Sequence, residues 1–318
     1  MAASTFAGQN LLFVVGAPRS GTTWLQRLLA SHPGVRTGQE SKLFTTYVSP
    51  QLAAWRQEMQ RKPRPGRPAT GRLHTGLSCY FTEVEFLNVL RSYTADLLQP
   101  MVGDLRPQEW FVEKTPTHAQ CLDDIRLILP EARVVHLIRD GRDVVASLLA
   151  ASRTWGTAWA PSTARRAALT WVSNVQKARR AATQFRADRY CEIRYEELSS
   201  DTALVLRRVA DFLELDWAEK DLEAAIRNNA ADELRAGRGT DIPLGGEFQR
   251  EARVTEPDGF VRRATVGAWR RDLSLGQRFV VSWSARSLLR ELGYVPDRSA
   301  RRISHEMDAR ESRNAIPT

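Results

Sequence analysis

LLFVVGAPRSGTTWLQRLLASHPGV, residues 11–35, changes its periodicity partway along. Leu11 to Val15 form an unbroken apolar run that stops at Gly16. Beyond a loop closed by Gly21, apolar residues recur at Trp24, Leu25, Leu28 and Leu29 with the 3.6-residue period of a helix, which Pro33 ends. The segment reads as strand, tight loop and helix. Such a loop turns successive backbone N–H groups, and the positive end of the helix dipole, toward whatever lies above it, and that favours a phosphate. In the nucleotide triphosphatase pattern G-x-x-x-x-G-K-[ST], a Lys after the second Gly reaches the outer phosphates. Here Thr22 and Thr23 follow Gly21, and the loop's cation is Arg19.

Strands and helices go on alternating outward from this unit. A short second strand is expected in VRTGQESKLFTTY, a helix over 83–99, a strand at Trp110 to Val112 and a helix up to Pro130. Val134 to Ile138 is a near-continuous apolar run, as suits a central parallel strand buried on both faces, with a helix from about Asp143. Residues 165–186 read as a basic helix, RYCEIRYEEL as a strand entering a turn, and 202–215 and 276–291 as helices. The fold class expected is α/β: a P-loop-like three-layer fold, its central, mostly parallel sheet flanked by helices. Ligands of such sheets lie beyond the carboxyl ends of the strands, where the 16–21 loop, Lys114, Arg139 and Tyr195 all fall. A single domain is expected over 1–296, with a disordered, charge-mixed tail over 297–318.

The chain has 318 residues and 42% apolar content, enough for a packed core. It carries 46 Lys+Arg against 37 Asp+Glu, a net +9 that favours acidic partners without choosing among them. No run resembles a signal peptide or a membrane span, so a cytoplasmic protein with no membrane partner is expected. Three Cys at 79, 121 and 191 show no metal-like spacing and read as reduced thiols. The basic stretch 56–72, rich in Pro and Gly, reads as an exposed loop, and 236–262 as a mobile loop that could serve as a lid.

Four elements, APRSGTTW, LIRDGRDVVAS, YEEL and RRATVGAW, resemble in order the nucleotide site of the sulfotransferases that use 3′-phosphoadenosine 5′-phosphosulfate (PAPS), with features of both the cytosolic and the Golgi-type branches. The resemblance covers most of the chain. It implies that Arg19, Ser20, Gly21, Thr22 and Thr23 surround the 5′-phosphate, and that Trp24 stacks on adenine; alternatively Trp24 is a core residue of the helix. By the same resemblance Arg139 and Ser147 bind the 3′-phosphate, the Arg as a bidentate fork and the Ser from about a turn into the next helix. Tyr195 matches a nucleotide-contacting Tyr, or packs within the fold. Arg262 and Arg263 match a pair that closes over the 3′-phosphate in R-K-G-x-x-G-x-W, although Ala264 stands where that pattern has Gly. Asp140, Arg142 and Asp143 read as turn and helix-start residues.

The cytosolic branch takes its base from a K-T-H run, and Pro116 of EKTPTH occupies that His position. The Golgi-type branches use a Glu in contexts similar to GQESKLF, which makes Glu40 the expected base in a partly desolvated cleft, with Lys42 beside it. His118 is the rival base, or an ordinary first-turn residue. Lys114 is expected to donate to the bridging oxygen of the leaving phosphate. The implied reaction is sulfuryl transfer from PAPS to a hydroxyl or amine of a small molecule or glycan, leaving adenosine 3′,5′-bisphosphate (PAP), with no metal. The Arg at the end of 134–138, where a triphosphatase would hold Mg²⁺ with an Asp, fits a less charged transferred group. The alternatives are a P-loop nucleotide or small-molecule kinase and a basic nucleic-acid-binding protein; no nucleic-acid partner is expected. Trp155 and Trp159 could line an acceptor pocket or pack the following helix, and His136 reads as a core histidine.

Overall fold

A computed structural model of the chain describes residues 6–61, 76–243, 257, 259–260 and 265–295. Its elements run β1 (Leu11–Gly16), α1 (Thr22–Ala30), β2 (Val35–Thr37), α2 (Ser49–Arg61), α3 (Glu83–Val102), β3 (Trp110–Glu113), α4 (Leu122–Ile128), β4 (Arg133–Ile138), α5 (Gly141–Ala151), α6 (Ala164–Ala182) and β5 (Tyr190–Arg194). Then come α7 (Tyr195–Ser200), α8 (Thr202–Leu213), α9 (Glu219–Asn228), α10 (Ala231–Arg235), α11 (Trp269–Asp272), α12 (Leu275–Ser284) and α13 (Arg286–Glu291).

The five strands form one all-parallel sheet in the order β2-β3-β1-β4-β5. Every residue of β1 and β4 is buried, as their apolar runs demand. Alternation divides β1 between two cores: Leu11, Phe13 and Val15 pack with residues of α2, α3 and α4. Leu12 and Val14 pack with Leu25 and Leu28 of α1 and Val205 of α8 on the other face. Each such side chain contributes roughly 1.5–3 kcal/mol on burial. A third cluster joins α5, α6, α12 and α13 through Trp171 and Leu289.

The chain leaves β1 toward β2 on one side and, after β3, crosses over to β4 on the other. The connections diverge at β1, which opens a crevice at its carboxyl end. Several expectations shift here. The 56–72 loop is helical in α2 as far as 61, and the expected 276–291 helix is two helices meeting at Ala285. Residues 43–48 form a π-helical turn where only a polar turn was expected. The rest of the 56–72 loop, most of the 236–262 loop and the tail lie outside the described residues, as do Arg262, Arg263 and Ala264. Among the described residues no helix is long and apolar enough to cross a membrane, and the three cysteines are unpaired.

Candidate active site

The carboxyl ends of β3, β1, β4 and β5 open into a cleft of about 1080 Å³. Gly21 starts α1 with a left-handed φ of 98°, and neither a side-chain cap nor an acidic first-turn residue occupies the helix end. The open N–H groups and dipole therefore face the cleft. A Cβ at Gly21 would lie 2.6 Å from the Tyr195 ring, so glycine is required there by packing as well as by conformation. Thr22, Thr23 and Trp24 line the same wall. Ser20 does not: it is fully buried, and its hydroxyl has no hydrogen-bond partner among the described residues.

Arg19 also has a left-handed φ, 74°, which turns its side chain away from α1. Its Nε donates to Ser147 Oγ over 3.1 Å, and its guanidinium lies over the rings of Trp155 and Phe260. Two residues expected at opposite phosphates are thus joined. Arg139, at the end of β4, sets its guanidinium 4.1 Å over the Tyr195 ring and donates to the Thr265 carbonyl, while its Nε is buried without a partner among the described residues. Tyr195 is itself packed in the fold, 2% exposed, between Gly21, Arg139 and the edge of Trp24. Burial pushes its phenol above the usual range. Trp24 is half-buried: one side lines the cleft, and Nε1 donates to the Asn229 carbonyl.

Asp143, read from sequence as a helix-start residue, does more. Its two oxygens accept the backbone N–H groups of Gly267 (2.7 Å) and Trp269 (2.8 Å). This fastens the segment that follows Arg262 and Arg263 in the chain onto α5. Trp269 stacks under the Arg142 guanidinium, which is itself forked onto Asp140.

On the β3 side, Lys114 Nζ donates to Glu40 Oε1 over 2.5 Å. The Lys is almost fully buried and faces a smaller cavity of about 280 Å³ that shares Thr23, Arg27 and Glu40 with the main cleft. Glu40 is 41% exposed, in the mouth between the two cavities. His118 is corrected outright as a rival base. It is fully buried, its Nε2 accepts the Phe44 N–H and its Nδ1 bonds Glu113, so no ring nitrogen is free for a substrate.

Glu113, which sequence reasoning passed over, is the hub below Glu40. Burial alone would raise its carboxyl, but His118 and the hydroxyls of Ser41 and Thr115 outweigh it and hold the group down at about 2. Glu113 and His118 stand five residues apart in one segment; what stayed hidden is that both reach the 41–44 loop, which needs β3 and that loop in contact. His136 is in the core as expected: burial first, then Arg179 and Arg194, press its imidazole down to about 3. Trp155 and Trp159 both line the cleft, their rings 5.4 Å apart. Among the described residues no cluster of His, Cys, Asp and Glu is arranged to hold a metal.

A family model described as "Sulfotransferase family" matches residues 12–219. The protein-tyrosine sulfotransferase 1 of Danio rerio is 28% identical over 207 residues, 65% of this chain and 54% of that protein. The chain therefore spans about half the length of that relative. Mouse sulfotransferase SULT7A1, solved in complex with PAP, superposes with a TM-score of 0.53 at 13% identity, covering 96% of this chain and 91% of that one. The sulfotransferase domain of the curacin biosynthetic pathway gives 0.53 at 21% identity, covering 90% and 98%.

Proposed function

The chain belongs to the sulfotransferase family, and on that premise we propose that its cleft takes PAPS as donor and passes the sulfuryl group to a hydroxyl acceptor, with an aromatic alcohol of the tyrosine type the class best suited. The observation that carries the reading is the arrangement at three neighbouring strand ends. The uncapped start of α1 follows β1, Arg139 with its unsatisfied Nε follows β4, and the Glu40–Lys114 pair sits over β3. The donor fits this set of groups. Amides of the 19–23 loop would take the 5′-phosphate, Arg139 and Ser147 the 3′-phosphate, and Trp24 the base. The phenolic acceptor is supported by the names of the curated relatives and by the tryptophans at 155 and 159 in the cleft wall.

In this reading Glu40 takes the proton of the acceptor hydroxyl as its oxygen attacks sulfur in line. Lys114, buried beside Thr23 in the smaller cavity, leaves Glu40 and donates to the oxygen on which charge grows as the sulfur–oxygen bond to the 5′-phosphate breaks. The open N-terminus of α1 stabilises the same charge. Arg19 contributes a fixed positive charge between the two anion-binding ends.

Thermal shift tests the donor: PAP should raise the melting temperature, and ATP with Mg²⁺ should do so much less. The opposite order would move the assignment to a kinase. Transfer from labelled PAPS to 4-nitrophenol and to a tyrosine-containing peptide tests the acceptor, and transfer only to carbohydrate hydroxyls would overturn the phenolic class. Glu40→Gln should cut turnover roughly 10²–10⁴-fold while PAP affinity stays within about threefold.

A further inference from the structure

Of four successive backbone amides beside Glu40, three are tied directly to the 113–118 segment and the fourth reaches it through Ser41. Ser41 N–H and Ser41 Oγ both donate to Glu113 Oε1, over 3.2 and 2.6 Å. Lys42 N–H donates to Thr115 Oγ1, Leu43 N–H to Ser41 Oγ, and Phe44 N–H to His118 Nε2. The Thr115 hydroxyl and the His118 ring that receive two of these bonds are in turn held by Glu113, over 2.7 and 2.9 Å. Because His118 Nε2 accepts, Nδ1 is the protonated nitrogen and donates to the carboxylate. All four amides thus trace back to one carboxylate, 1% exposed at the end of β3.

The clamped loop is not one the backbone adopts unaided. Lys42 has a φ of 52°, which a non-glycine residue reaches at a cost of about 1–2 kcal/mol, and a π-helical turn follows directly. A buried carboxylate is also an expensive way to fill a core, costing several kcal/mol in desolvation that an apolar side chain of the same volume would avoid. Five donors from Ser41, Thr115 and His118 offset that cost. Filling space does not call for such a hub; fixing the 40–44 backbone does.

We infer that Glu113 is a positioning residue of the transfer reaction, holding the strained 40–44 loop through Ser41, Thr115 and His118 so that Glu40 stands beside Lys114 at the mouth of the cleft. The inference rests on Glu40 being the base. Glu113→Gln puts an NH2 group against a donor on one of its two oxygens, so the clamp loosens without loss of volume. A displacement of about 1 Å at a reacting group costs on the order of 10²-fold.

The test is a double-mutant cycle on kcat, with labelled PAPS and 4-nitrophenol, alongside calorimetric PAP affinity. Glu113→Gln should lower kcat by about 10–100-fold and leave PAP affinity within about threefold. In the Glu40→Gln background the same change should cost less than about threefold, because the residue acts through a base already removed. Equal losses in both backgrounds, or no loss in either, would overturn the inference while leaving Glu40 as base. A Glu40→Gln enzyme with normal turnover would overturn the base assignment and this inference with it. Should Glu113→Gln not fold, Ser41→Ala, which removes the Ser41 Oγ bond to Glu113 and the acceptor of the Leu43 N–H but keeps the Lys42 and Phe44 ties, carries the same cycle with the same criteria and a smaller expected loss of about 5–20-fold.

Discussion

Gly21→Ala should damage the phosphate loop by a route that can be divided into two parts. The added methyl would sit 2.6 Å from Cδ2 and 2.7 Å from Cε2 of Tyr195. Ordinary carbon contacts are about 3.5–4.0 Å, so the ring must retreat by nearly an ångström. It has little room, being 2% exposed with Arg139 stacked on one face at 4.1 Å. Overpacking of this kind costs about 1–3 kcal/mol. The left-handed φ of 98° adds about 1–2 kcal/mol for any L side chain. The sum, about 2–5 kcal/mol, is readable by urea unfolding, and loss of the loop geometry should weaken PAP binding at least tenfold. Repeating the change in a Tyr195→Ala background separates the parts: only the conformational cost, about 1–2 kcal/mol, should remain. An equal cost in both backgrounds would show that the ring is not what the methyl meets.

Two further expectations bear on the cleft and a third on the core beneath it. Arg139→Ala should cost about 1.5–3 kcal/mol of PAP affinity but little for adenosine 5′-phosphosulfate, and calorimetry giving equal losses for both would remove Arg139 from the 3′-phosphate. Asp143→Ala should release the amides of Gly267 and Trp269, weakening PAP binding about tenfold or more and quickening proteolysis between 257 and 270; unchanged cleavage would show the tie to be dispensable. The third concerns acid. His136 titrates at about 3 in the folded chain against an ordinary 6.5, so the unfolded state binds the extra proton between those values. Its contribution is intact above pH 6.5 and is lost as pH falls toward 3, at up to about 1.4 kcal/mol per unit. Glu113, held at about 2 against 4.5, adds a second loss only below pH 4.5. Stability of His136→Gln should therefore fall less steeply than that of the parent between pH 6.5 and 4.5, and parallel slopes there would contradict the burial argument.

The parts of this molecule visible from sequence are those whose causes are local. The apolar runs of β1 and β4, the Gly-bounded loop and the amphipathic α1 each state their structure within a dozen residues, and the strand ends then gather the 16–21 loop, Lys114, Arg139 and Tyr195; Glu40 was legible only through the family resemblance. What stayed hidden depends on segments far apart in the chain. The role of Glu113 exists only because β3 brings it under Ser41. Asp143 looked like a helix-start acid because its true partners lie more than a hundred residues on. The Arg19–Ser147 contact required knowing that residue 19 takes a left-handed conformation, which no property of Arg announces. Residues 219–235 hold two helices that supply Ile226 and Leu234 to the cleft, yet their mixed polar composition gave no expectation of a wall there.

The strand order has one more consequence. Parallel neighbours stand about 4.8 Å apart, so β3, β1 and β4 lay down three fixed marks over roughly 10 Å. On the proposed reading the sheet would act as a ruler for the donor: one end of the scale would carry the Glu40–Lys114 pair, the middle the loop for the 5′-phosphate, and the far end Arg139 for the 3′-phosphate. No graduation can move without breaking ladders that run through a buried core. The described segments 153–163 and 236–243 lie outside these strands. If Trp155 and Trp159 line the acceptor side of the cleft as proposed, a graft of 153–163 onto a related scaffold should shift acceptor preference while leaving PAP affinity unchanged.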